Sequence, residues 1–115
     1  MDFFGIVRRL EDEREIEGIA YEAHLLMAEH QLRSIAEMAT SKFSLGKIVL
    51  HHRVGFVRIG EPSLFLQVMA THRAAAFDAS KWIVDELKKK VPIWKRPVFK
   101  MESNKPASAI PVTAK

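Results

Sequence analysis

The apolar positions of this chain follow two periods, and the places where one gives way to the other mark its elements. "FFGIVR" (Phe3–Arg8) is short, aromatic and β-branched and predicts a strand. The charged "RLEDERE" after it predicts a loop or hairpin arm. "IEGIAYE" (Ile16–Glu22) alternates around Gly18 and predicts a second strand. From about Ala23 to Lys42 the period lengthens. Leu25, Ala28, Leu32, Ile35 and Ala39 recur at helical spacing, with Glu29, Arg33 and Glu37 off that face, so a long amphipathic helix is expected. Gly46 closes the connection after it. "KIVLHHRVGFVRIG" (Lys47–Gly60) is rich in β-formers, with Gly55 predicting a bulge or bend. "EPS" reads as a turn. "LFLQVMA" (Leu64–Ala70) is apolar on both faces, which fits a central strand or one whose outer face a second subunit covers.

A second helix follows, with Ala76, Ala79, Ile83 and Leu87 on its apolar face, Thr71 as the expected N-cap and Pro92 as its stop. "WKRPVFKM" predicts a last strand. The segment from Glu102 onward is polar and contains proline, and reads as a loosely held tail. The predicted order is β-β-α-β-β-β-α-β. Short loops within the strand groups argue for an α+β domain with a mostly antiparallel sheet and two main helices packed on it. The expected organisation is one domain over residues 1–101 and a flexible tail over 102–115.

Composition narrows the chemistry. At 115 residues and 48% apolar content the chain has the size of one domain and the material for a core. Cysteine is absent, which excludes disulfides, thiolate nucleophiles and cysteine-ligated zinc. Any thiol chemistry must therefore use sulfur carried by another molecule. Eighteen basic residues against fourteen acidic ones give a net charge of +4. That excess suits an anionic ligand, an acidic partner or nucleic acid without separating them. No apolar run reaches the length of a membrane span. "MDFFGIVRRLEDE" is too short in its apolar stretch for a secretory signal, so a cytoplasmic protein is expected.

Candidate chemistry gathers around the second helix. His72 and Arg73 stand at its start, where free N–H groups and the positive dipole end favour an anion. Exposed basic residues are common, and on spacing alone the more frequent case is that both side chains point to solvent or pair with an acid such as Glu61. Lys88, Lys89 and Lys90 close the helix, where cations are favoured and Asp85 or Glu86 lies at pairing distance along it. A chain that reverses at Pro92 brings Lys95 back towards Lys88. Two ammonium groups held together repel, which turns a lysine into a usable base or nucleophile. Phe77 and Trp94 fit either a stacked heterocycle or, more commonly, a core. His51 and His52 are adjacent in a strand and face opposite ways, and His24 and His30 are six apart on a helix, so no metal site is expected. There is no glycine-rich phosphate loop and no nucleophile-elbow serine, and no cofactor is expected.

"FFGIVR", "IAYEAHLLMAE", "HHRVGFVRIGEPS" and "ATHRAAAFDASKWIVDELKKKVPIWKR", in this order over roughly residues 3 to 96, resemble the large-subunit family of molybdopterin synthase. The resemblance implies an α/β-hammerhead fold and a sulfurtransferase that converts a cyclic pyranopterin monophosphate into molybdopterin during molybdenum cofactor biosynthesis. It implies that sulfur arrives as a thiocarboxylate on the C-terminal Gly-Gly of a small, ubiquitin-like carrier subunit. The assembly it implies is a heterotetramer: a central homodimer of large subunits with a carrier at each end. Matched by motif, Ile6, Val7 and Arg8 would line the substrate site, and His72 and Arg73 would bind the anionic substrate. Lys88 and Lys95 would be catalytic as well as substrate-binding, with Arg96 beside them. His72 and Lys88 are about 24 Å apart along a continuous helix, too far for one small ligand. The implied dimer would set one subunit's His-Arg pair beside the other's lysines.

The chain departs from the family pattern in three places. The strand that carries Arg8 starts almost at Met1, where the family has a preceding segment. Pro97 replaces a glutamate. "VFKMESNKPASA" stands in place of a glycine- and tryptophan-bearing closing strand. A non-catalytic homologue that binds and assembles is the alternative these departures raise. A small nucleic-acid-binding domain ranks last, because "LFLQVMA" is too apolar for an exposed basic face.

Overall fold

The computed structural model describes residues 1–11, 14–99 and 108–114. Among these residues, seven strands and two helices run in the order β1 (Asp2–Ile6), β2 (Leu10–Glu11), β3 (Arg14–Ala23), α1 (Leu25–Phe43), β4 (Lys47–Arg58), β5 (Pro62–Met69), α2 (Arg73–Lys90), β6 (Ile93–Phe99) and β7 (Ser108–Ala114). Every pairing is antiparallel, and the architecture is α+β.

β4 organises the sheet. Its first half, Lys47–His52, pairs with β5 on one edge, while Ile48–Val54 pairs with β7 on the other. At Gly55 the backbone adopts φ 86°, a conformation that favours glycine, and the remaining residues 55–58 pair with β3 instead. The expected bend at Gly55 is present. It lies within one twelve-residue strand, so the three strands expected between the helices are two. β5 is central, held between β1 and β4. β3 carries β6 and the short β2.

Alternation along the strands decides what is buried. Ile48, Leu50 and Val54 of β4, Leu64, Leu66 and Val68 of β5, and Ile110 and Val112 of β7 form one apolar face. Both helices pack on it. α2 buries Ala76, Ala79, Ile83 and Leu87, the face its periodicity predicts. α1 buries Ala28, Leu32, Ile35, Ala36 and Ala39, whereas Leu25 lies exposed in its first turn. A smaller core of Val7, Ile16, Ile19 and Val57 lies where β3 meets the end of β4.

Two further expectations are corrected. The N-cap of α2 is His72, not Thr71, and no side chain caps that end. Residues 108–114, expected within the flexible tail, form β7, whose Ile110 and Val112 are buried. Residues 102–107 of the expected tail lie outside the described residues. Pro92 does its expected work: α2 ends at Lys90, and β6 begins at Ile93.

Candidate functional site

Six elements converge at the end of α2. The turn at Val91–Pro92 is two residues long, so β6 leaves next to the last helical turn. Lys88 of α2 and Lys95 of β6 consequently line one cavity of about 540 Å³. Ile6 and Phe3 of β1, Ser63 and Leu64 of β5, Tyr21 of β3 and His52 of β4 complete its polar and apolar walls. Tyr21 is the cross-strand partner of Lys95, which fixes both side chains on the same face.

Ion pairing along α2 leaves Lys88 to this cavity. Asp85 pairs with Lys81 at 2.9 Å, and Glu86 pairs with Lys90 at 3.2 Å. Each bond joins residues one helical turn apart, and the Glu86 side chain is mostly buried while the other three are exposed. The Lys81 ammonium holds the Asp85 carboxyl below its ordinary value, chiefly through that hydrogen bond. Glu86 thus neutralises Lys90 as the sequence leads one to expect, Asp85 is bonded to Lys81 instead, and Lys88 forms no ion pair among the described residues.

His52 is a cavity-lining residue that sequence reasoning did not place at the site. Its ring is buried in the cavity wall, and burial lowers its pKa below the ordinary imidazole value. Nδ1 lies 2.7 Å from the carbonyl oxygen of Arg53 and must therefore donate to it. The Tyr21 ring meets it edge-on at 5.1 Å. Its signal was the strand alternation. Ile48, Leu50 and Val54 are inward, and His52 falls in the same series, so a polar ring on that face must be either satisfied or functional.

The other expected site residues are distributed differently. Arg73 lines a separate cleft of about 560 Å³ with Met1, Val68, Thr71 and Phe77. His72 is exposed beside it, at the helix start, and lines neither cavity. Glu61, the acid that a plain surface pairing would use, lies 3.9 Å from Arg53 and accepts the Arg58 N–H. Val7 is enclosed in the smaller core, its N–H donating to the Glu61 carbonyl. Arg8 is exposed just past the end of β1, and Arg96 is exposed on β6, one residue from Lys95 and hence on the opposite face. Phe77 and Trp94 are more than half exposed, so neither is the core anchor that its type most often is.

Cation-binding geometry is not formed: no group of three His, Asp or Glu side chains converges among the described residues. None of the described helices is long and apolar enough to cross a membrane.

Comparison with known proteins follows the same lines. Residues 1–90 match the model of the MoaE protein family. A molybdopterin synthase catalytic subunit from Pyrococcus abyssi is 41% identical over 96 residues, covering 84% of this chain and 65% of that protein. A molybdopterin synthase catalytic subunit from Arabidopsis thaliana is 40% identical over 97 residues, covering 84% of this chain and 49% of that one. The chain thus spans about half to two thirds of the length of these relatives. Among solved structures, that of molybdopterin synthase from Staphylococcus aureus superposes with a TM-score of 0.80 at 30% identity, over 90% of this chain and 76% of that one.

Proposed function

The chain belongs to the MoaE protein family, and on that premise we propose that it is the catalytic large subunit of a molybdopterin synthase. It takes sulfur from the thiocarboxylated C-terminus of a small carrier subunit and transfers it to a cyclic pyranopterin monophosphate. The observation that carries this reading is the convergence of Lys88 and Lys95 on one cavity large enough for a pterin-sized ligand.

The chemistry asks for such a site. The carrier's sulfur attacks the substrate, and the acyl-bound intermediate that results is then released by water. Both steps move protons and develop negative charge beside the substrate phosphate. An ammonium on the last turn of a rigid helix supplies a proton, stabilises that charge or accepts the acyl group. Lys88 is the principal catalytic group in this proposal, and Lys95 supports it from across the cavity. Ile6 forms part of the wall. His72 and Arg73, with Arg8, hold the anionic end of the substrate. Because His72 and Lys88 lie about 24 Å apart on one helix, the His-Arg pair acts on the cavity of a second subunit. Arg96, on the opposite and exposed face of β6, does not line this cavity.

The test is single-turnover formation of molybdopterin from thiocarboxylated carrier, with folding checked by circular dichroism. Lys88→Ala lowers turnover by about 100-fold or more, the scale of a lost acid–base group. Lys89→Ala and Lys90→Ala change it only slightly, because their side chains leave the helix about 100° and 200° further round. Lys95→Ala falls between. Near-normal turnover in Lys88→Ala, or equal damage from Lys89→Ala, overturns the assignment. A wild-type chain that binds carrier and substrate without turnover makes the chain a non-catalytic homologue.

A further inference from the structure

His52 is held in a way that packing alone does not require. Its strand position turns the ring inward, into the wall of the cavity that Lys88 and Lys95 share. One nitrogen is committed: Nδ1 donates to the Arg53 carbonyl at 2.7 Å, which sets the tautomer with the lone pair on Nε2. The edge-on Tyr21 ring fixes the plane of the imidazole. Among the described residues no fully enclosed side-chain nitrogen or oxygen lacks a partner. Nε2 has no partner among the described residues, so it is open to the cavity. The neighbouring Arg53 does not bring its charge inside, since its guanidinium donates to the Pro62 carbonyl at 3.3 Å and lies near Glu61.

From this arrangement we infer that His52 is the general base of the water-dependent step, a role that rests on the reaction proposed above. Nε2 takes a proton from the water that attacks the acyl carbon of the carrier-bound intermediate. The new C–O bond forms, the C–S bond breaks, and the electron pair leaves with sulfur, which stays on the pterin. The carrier departs as a carboxylic acid, which loses the remaining water proton to solvent and becomes a carboxylate. The imidazolium then returns its proton to solvent, so no oxidant or reductant is needed. Burial favours the neutral imidazole, whose Nε2 lone pair can take that proton.

The titratable groups that share the cavity with His52 are Tyr21 of β3, Lys88 of α2 and Lys95 of β6. β1, β5 and β7 add none to its lining. Only His52 among these has an ordinary value on the acid side of neutrality, so an acid limb in the release step reports on it.

The experiment is rapid-quench single turnover across pH 5 to 9, with the acyl-bound intermediate counted by mass spectrometry, for the wild type, His52→Gln and His52→Asn. In the wild type, release slows as pH falls, with a one-proton slope and a midpoint below about 6.5, the ordinary imidazole value. In His52→Gln release is slowed by about 100-fold, the acyl-bound intermediate accumulates, and that limb is gone. Formation of the intermediate is changed far less. Should both variants fail to fold, ring ¹⁵N titration of His52 in the wild type decides the matter. Its midpoint coincides with that of the release step if the inference holds, and disagreement between the two overturns it. Release at the wild-type rate in His52→Gln, or a retained acid limb, also overturns it and leaves the sulfur-transfer reading intact. A wild type that forms no intermediate at any pH overturns that reading and this inference together.

Discussion

A single residue in this chain changes meaning with its surroundings. His51 and His52 are identical in sequence and adjacent, yet His51 faces outward near the Phe65 ring, at 6.0 Å, while His52 is buried in the cavity wall. Burial favours the neutral ring, so the His52 pKa in the folded chain lies below its unfolded value of 6.5. The sign of the linkage follows. Between those two values the unfolded chain binds the extra proton and the folded one does not, so stability rises with pH there and falls on acidification. Urea midpoints compared at pH 7.5 and pH 5 test this. The wild type loses more stability on acidification than His52→Gln, whose side chain cannot titrate, and an equal loss in both removes His52 as the source. Lys88 and Lys95 were legible because a short proline turn forces the next strand back beside the helix end. His52 was not, because a pair of adjacent histidines invites only the question of a metal. The alternation Ile48, Leu50, His52, Val54 held the answer.

At the scale of elements, periodicity served best where one face alone is buried. All four predicted apolar positions of α2 are inside. β7 escaped because Pro111 and its polar flanks mask a two-residue apolar signal, Ile110 and Val112. That signal becomes a strand only when an open edge of β4 is available to pair with it. The bend in β4 was visible as Gly55, but whether a glycine ends a strand or turns it depends on partners that a local window does not contain. Gly18 carries a sharper constraint. A Cβ there would sit 2.2 Å from the Val57 carbonyl oxygen and 2.7 Å from the Phe56 ring, where β3 crosses the second half of β4. Backbone cannot yield as a flexible side chain does. Gly18→Ala is therefore expected to cost about 3 kcal/mol, the upper range of overpacking, and to lower the thermal midpoint by more than about 10 °C. A scanning-calorimetry midpoint within a few degrees of the wild type would show that the two strands can part without loss.

Across the whole molecule, the arrangement of charged sites asks for two copies. Arg73 and Lys88 open onto different cavities, and the outward face of the β1–β5–β4 sheet carries Phe4, half exposed, against Phe65 at 5.0 Å. A homodimer is expected, and sedimentation at micromolar concentration that finds only a 13.1 kDa species counts against it. If each site is shared, mixing Arg73→Ala with Lys88→Ala subunits restores activity. Random exchange makes half of the dimers mixed, each with one intact site, for about a quarter of wild-type turnover. No recovery after verified exchange means that each site is built within one subunit. The bent strand at the centre also sets the order of events as the chain folds. β1 pairs Phe3 with Leu66, and β7 pairs Val112 with Leu50, so the sheet closes through contacts remote in sequence, which form slowly. α1 and α2 are built from local hydrogen bonds and form early. The cavity wall draws on β1, β3, β4, β5, α2 and β6 and has no shape until β4 is held along both halves. A refolding chain is thus expected to regain its helical circular dichroism before this cavity takes shape. While that interval lasts the lysines are present and the pocket is not.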